Sequence, residues 1–154
     1  MKNTFYIYNN EGLLVCLIIL LLKRQNVELA RLMIICTLLA DSRFVRYLRS
    51  NTSANSLEQI IQDKITWFSN FNQRYLELLP VILNSLVILE KENIINQSKT
   101  SISLKVEKKE QTKNLDTDIL GERIKEINYI IPQLFILLNN YDTKRMYKLF
   151  NVRL

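Results

Sequence analysis

The 154-residue sequence contains no histidine and only two glycines, two prolines and two cysteines. Without an imidazole neither a Ser-His nor a Cys-His nucleophile can be assembled. The same absence, together with the lack of any CxxC pair, excludes zinc sites of the usual kind. Gly12 and Gly121 stand alone inside helical patterns, so there is no clustered-glycine loop to cradle a phosphate. Cys16 and Cys36 lie within apolar helical runs, where a free thiol behaves as a small hydrophobe, and this usage fits a reducing cytoplasm. Carboxylate pairs for metal-dependent nuclease work reduce to Asp116 with Asp118, or Glu58 with Asp63, which read as cap and surface residues. No catalytic, metal-binding or cofactor-binding residue is assigned, and the expectation is a protein that is not an enzyme.

What is present is apolar. Hydrophobic residues make up 48% of the chain, and long Leu/Ile runs with so little Gly and Pro predict a mainly helical fold. The length suits one domain, 1–154, with a sizeable core. Leu13 to Leu22 is an unbroken apolar run of about half the ~20 residues needed to cross a bilayer, so no membrane span is expected. Glu11 just before the run and Lys23-Arg24 just after it weaken a signal-peptide reading.

Along the chain, Thr4–Tyr8 is short and β-prone, Asn9 or Asn10 can cap a first helix, and Asn26 can cap a second over Val27–Ala40. Asp41 or Ser42 can cap a third helix, and Ser56-Leu57-Glu58-Gln59 has the form of a capping box. The aromatic-dense stretch Trp67, Phe68, Phe71, Tyr75 leads into a helix predicted to restart at Pro80. Val81, Ile82, Leu83, Leu86, Val87, Ile88 and Leu89 leave that helix little polar surface, so it is expected to be buried on most sides and unfit for a major groove.

Ile94-Ile95 and Ile102–Val106 then read as a β-hairpin. Helix followed by hairpin is the second half of a winged helix, so the predicted fold class is mainly α with a small β-hairpin, a winged-helix-like accessory subunit. The wing and a mobile loop fall at about 94–116, and Lys105–Asn114 is the most polar stretch. C-terminal helices follow over about 117–154, the first starting at Thr117 or Asp118. There Leu120, Ile124, Ile127, Ile131, Leu134 and Leu138 form an apolar seam, interrupted near Tyr129–Ile131 by Pro132. Asp142 can cap a last short helix with Met146, Leu149 and Phe150 on one side. Seam and tail are candidate partner-docking surfaces, at Leu134, Leu138, Met146, Leu149 and Phe150.

The net charge of +6 is unevenly placed. Residues 1–50 hold seven Lys/Arg against three acids and 94–114 hold five against two, while 51–93 hold three against five. Arg43, Arg46 and Arg49, spaced i, i+3, i+6 on one helix face, and Lys105, Lys108 and Lys109 in the wing are candidate contacts to DNA or an acidic partner. The bland alternative is a solvated charged surface.

Phe68-Ser69-Asn70-Phe71-Asn72-Gln73-Arg74-Tyr75, with Leu78-Leu79-Pro80 and Asn84 at this spacing, resembles the middle component of bacterial three-component ABC-ATPase systems. That group includes the small subunit of Lamassu antiphage defence. The similarity extends to the Leu-rich start before a Lys/Arg pair, to Leu38-Leu39-Ala40-Asp41, to Ser56-Leu57-Glu58 and to Leu149-Phe150-Asn151-Val152-Arg153-Leu154. The variable wing from Asn96 to Asn114 carries none of it.

The resemblance implies a winged-helix accessory subunit similar to those on the ATPase heads of SMC complexes. It would bind an SMC- or Rad50-like ATPase and an effector, often a nuclease, and help couple DNA sensing to effector release. Alternatives are a small winged-helix DNA-binding regulator and an antitoxin-like helical binder.

Overall fold

Helix α1 (Glu11–Leu22) carries apolar residues all the way round its axis, and a helix without a polar face has to be enclosed. In the computed structural model, which describes residues 11–51, 56–105, 107–108 and 121–153, Leu14, Leu17, Ile18, Leu21 and Leu22 are shut off from solvent. The elements that follow are α2 (Leu29–Leu39), α3 (Ser42–Ser50), α4 (Leu57–Asp63), α5 (Ile65–Phe68) and α6 (Phe71–Lys91). A hairpin of β1 (Ile95–Gln97) and β2 (Ile102–Leu104) comes next, then α7 (Glu122–Leu138) and α8 (Thr143–Leu149). Among the described residues the fold is mainly helical with a two-stranded antiparallel hairpin. Helix α1 packs most extensively on α6 and also touches α2, α7 and β2, while α2 lies on α6 and α3 on α7.

Three of the predicted caps are made. Asp41, Ser56 and Asp142 accept hydrogen bonds from the backbone N–H of Arg43, Gln59 and Arg145. Only half of the capping box at Ser56 forms, because the Gln59 amide donates to Asp63 instead. Asn26 does not cap the second helix. Helix α2 begins at Leu29, and Val27 exchanges backbone hydrogen bonds with Ile102, N–H to O distances 3.0 and 2.7 Å. Val27 is buried and β-branched, so this bridge both satisfies its backbone and suits its side chain. The Thr4–Tyr8 strand, the Asn9 or Asn10 cap and most of the loop after Lys105 lie outside the described residues. The last long helix does not run on from Thr117 or Asp118 but begins at Glu122, after Gly121 at φ of 98°, a backbone conformation no helix contains.

No restart is seen at Pro80 and, of the kink or break expected from Pro132, no break is seen. Helix α6 runs through Pro80 and α7 through Pro132. Both prolines are exposed, and the carbonyls they deprive of an N–H partner, at Leu76 and Asn128, sit one turn earlier on the same side. The continuous apolar seams on the opposite sides hold the helices together across them. An interior proline costs about 3 kcal/mol, which a buried seam of five or more large side chains exceeds.

The expectation that the pre-hairpin helix is buried on most sides is also overturned. Phe71, Tyr75, Leu78, Ile82, Ser85, Leu86 and Leu89 face the core, but Leu76, Leu83, Val87 and Ile88 are each more than 40% exposed. One face of a 21-residue helix is all that α1 and α2 can cover.

The hairpin register pairs Ile95 with Leu104, Asn96 with Ser103 and Gln97 with Ile102, close to the predicted strands. Ser98 closes the turn: its N–H donates to the Ser101 carbonyl and its hydroxyl oxygen accepts from the Ser101 N–H. Helix α6 passes into β1 through an asparagine. Asn93 has φ of 58°, its N–H reaches the Glu90 carbonyl, and the Ile94 N–H reaches the Leu89 carbonyl at 2.9 Å. This is a Schellman closure, with half-buried Ile94 following on buried Leu89.

Helix α8 ends the same way. Asn151 has φ of 55°, and the Val152 N–H donates to the Tyr147 carbonyl. Asparagine tolerates the left-handed region better than other non-glycine residues. Asn93→Ala is therefore expected to lower the free energy of unfolding by about 1 kcal/mol and Asn93→Gly to leave it equal or higher. Urea denaturation of the two variants reads this; equal losses for Ala and Gly would contradict the role given to the backbone.

Candidate functional site

Residues from three distant parts of the chain, Asp41, the stretch Trp67–Tyr75 and the C-terminal tail, meet at one joint. Arg74 on α6 is at its centre. Its guanidinium donates to the Trp67 carbonyl at 2.7 Å, to Asn70 Oδ1 at 3.2 Å and to Asp41 Oδ2 at 3.3 Å, and it lies 5.5 Å from the centroid of the Phe71 ring. Asp41 is buried and also takes a two-pronged hydrogen bond from Arg43. Burial alone would raise the Asp41 carboxyl, but the hydrogen bonds and charge of Arg43, with the charge of Arg74, outweigh it and hold it below the ordinary carboxylate value.

The third part is the C-terminal tail. Phe150 stacks on Phe71 with centroids 4.5 Å apart and sits 5.8 Å from Phe68. Asn72 Oδ1 accepts from the Arg153 N–H at 2.8 Å. Tyr75 and Tyr147 place their hydroxyls 3.4 Å apart, and burial followed by that hydrogen bond drives the Tyr75 phenol upward. Phe68, Asn70, Phe71, Asn72, Arg74 and Tyr75 thus act as a socket for Asp41 and for the tail. They hold the chain to itself and leave no reactive group open.

Four of the five residues expected to dock a partner are core of this chain. Leu134, Leu138, Met146 and Phe150 are each 2% exposed or less. Leu149 is half-buried against the same core. The steps of four and three that mark Ile124 to Leu138 as a seam are genuine, but α1 and α3 fill the seam from within. The apolar surface left outside belongs to other residues. On α6, Leu76, Pro80, Leu83 and Val87 follow one another at steps of four, three and four along the exposed face. On α7, Tyr129 at 67% and Ile136 at 70% are the most open large apolar side chains among the described residues. Sequence periodicity marks both faces of such helices as apolar and does not say which one is covered.

The basic candidates divide. Arg43, Arg46 and Arg49 all lie exposed on α3, as their spacing predicts. Arg43 is tied to Asp41, and Arg49 pairs with Glu126 at 2.8 Å, so two of the three charges are answered. The Lys105 ammonium donates to Asn93 Oδ1 at 3.3 Å. Lys108 is described but belongs to no groove with α3, since α3 packs on α7 and α2 while the hairpin packs on α1 and α6. Lys109 lies outside the described residues.

Sequence reasoning missed Lys64 and Trp67. The Trp67 ring has the Arg43 guanidinium 5.7 Å and the Lys64 ammonium 5.2 Å from its centroid. The aromatic density of 67–75 signals a cluster, but no spacing rule joins Trp67 to α3.

The two thiols are poor nucleophiles. Cys36 is fully buried and pushed up to about 12 by desolvation, and Cys16 is raised by the same cause. Among the described residues no group of three or more Cys, Asp or Glu side chains is placed to hold a metal ion, and no helix is long and apolar enough to cross a membrane.

Comparison with protein-family models, with curated proteins and with solved structures gives no match.

The Asp41 network makes a pH prediction. The folded-state carboxyl titrates below its ordinary value of 3.8, so Asp41 contributes stability that is complete above that pH and lost as the pH falls through the folded value. Asp41→Asn keeps the cap but leaves Arg74 short of a charge partner. It should cost on the order of 2 kcal/mol at neutral pH and flatten the acid side of the stability curve. Denaturation followed between pH 6 and pH 3 checks this; an unchanged acid slope would remove Asp41 as its source.

Proposed function

We propose that this chain is a non-catalytic bridging subunit of winged-helix type, belonging to an SMC- or Rad50-like ATPase complex of antiphage defence. In this reading it links the cytoplasmic ATPase to an effector subunit of nuclease type, as the middle component of a Lamassu-like three-component ABC system. The observation that carries the reading is the exposed apolar face of α6, Leu76, Pro80, Leu83 and Val87, set directly before the hairpin. A helix of 21 residues that offers one face to its own core and an equally greasy one to water is shaped to be gripped.

Further support comes from the joint around Arg74, where Asp41, the stretch Phe68–Tyr75 and the tail at Phe150 and Arg153 fix α6 against α3 and α8. That arrangement orients the outer face of α6 without using any of it. DNA sensing in this reading belongs to the complex. The alternative, a small winged-helix DNA-binding regulator using Arg43, Arg46 and Arg49 with Lys105, Lys108 and Lys109, is less well supported, because Arg43 and Arg49 are paired with Asp41 and Glu126 and the helix before the hairpin cannot take over their role. A major groove would meet Leu83 and Val87 where base edges need polar partners.

The test is co-purification with an SMC- or Rad50-like ATPase from the same genome. Leu83→Glu with Val87→Glu changes exposed positions, where substitutions usually shift stability by no more than about 0.5 kcal/mol. The double variant is expected to remain folded and to lose the ATPase. Leu134→Glu puts a charge into the core and should unfold the chain outright. A folded double variant that still brings the ATPase down would refute the proposal.

A further inference from the structure

We infer that the face shared by α3 and the α4–α5 junction is a binding site for single-stranded nucleic acid, with Arg46 and Lys64 as phosphate contacts beside Trp67. The site is assembled from two elements that the sequence separates. Helix α3 presents Arg43, Arg46 and Tyr47. The junction presents Lys64 and Trp67, joined to α3 through the Tyr47 and Trp67 rings at 6.1 Å and through Arg43 over the indole. Of these cations Arg43 is committed to Asp41. Arg46 is exposed, Lys64 is half-buried, and neither has a carboxylate within ion-pair distance among the described residues. The nearby acids are already used: Asp41 by Arg43 and Arg74, Glu126 by Arg49, and Asp63 by the Gln59 amide.

Two cations without an ion pair beside half-buried rings match the way proteins hold an unpaired strand, with charge along the backbone, a base taking the indole surface now covered by the Lys64 ammonium as that ammonium turns to a phosphate. The scale fits a strand better than a duplex. Helix α3 has nine residues, roughly 13 Å at 1.5 Å per residue, enough for two or three phosphates. The inference concerns this chain alone and stands or falls separately from its grip on an ATPase.

Trp67 is the only tryptophan in the sequence, so indole emission reports this face and nothing else. The full chain is titrated with an oligothymidylate of about 15 nucleotides while emission is followed. Saturable quenching is expected, and raising salt from about 50 to about 200 mM should weaken it with a slope near −0.7 per phosphate contacted. Arg46→Glu with Lys64→Glu is expected to weaken binding at least tenfold with an unchanged helical circular dichroism spectrum, and the milder Arg46→Ala with Lys64→Ala covers the case in which charge reversal unfolds the chain. The inference is overturned by emission that does not respond to the oligonucleotide, by wild-type affinity in a folded variant, or by an equal response to polyglutamate, which would make the face a general anion sink.

Discussion

Enclosing α1 is the constraint from which the rest of the architecture follows. A helix that is apolar around its whole circumference needs neighbours on every side, and a chain of this size has to recruit most of its elements to supply them. Helix α6 gives the longest wall, α2 runs back beside α1 after a short link, α7 closes a further side, and β2 touches the remainder. Each of these helices spends one apolar face on the task. Apolar surface is left over on α6, along Leu76, Leu83 and Val87, and on α7 at Tyr129 and Ile136.

The socket around Arg74 performs a different service. Hydrophobic contact decides that elements come together but constrains their rotation only loosely, whereas a guanidinium with three acceptors in fixed directions constrains it tightly. By holding the Trp67 carbonyl, Asn70 and Asp41 at once, Arg74 sets the pitch of α6 relative to the start of α3. Phe150, stacked on Phe71, does the same for the end of α8. Arg31 clasps the far end of α7 in a similar manner, donating to the carbonyl of Leu138, where the helix ends, and to that of Tyr141 just beyond it.

Much of the fold could be read from the chain because its signals are local. The caps at Asp41, Ser56 and Asp142, the alternation Ile102, Ser103, Leu104, and the four-three steps of the last long helix each depend on a few neighbouring residues. The failures have a common cause. Pro80 and Pro132 break helices when the helix stands alone, and here packing from far along the chain outweighs the local penalty. Likewise, Leu134 and Leu138 are apolar at the right spacing whether they meet a partner or α1. Only the third dimension distinguishes the two, and it transfers the exposed surface to Leu76, Leu83, Val87, Tyr129 and Ile136. Among the charged residues, the spacing of Arg43, Arg46 and Arg49 correctly gives a shared face. The pairing of Arg43 with Asp41 is local, two residues away at the cap of the same helix, whereas that of Arg49 with Glu126 depends on tertiary approach, as does the meeting of Arg43 with Lys64 around Trp67.

The single pair of hydrogen bonds between Val27 and Ile102 ties the hairpin to the short link between the two most deeply sunk helices. The hairpin is therefore not a free flap hung from the end of α6. A push on its Ser98–Ser101 tip is delivered through β2 to that link and so to the root of α1, which makes the hairpin a lever whose short arm ends in the middle of the molecule.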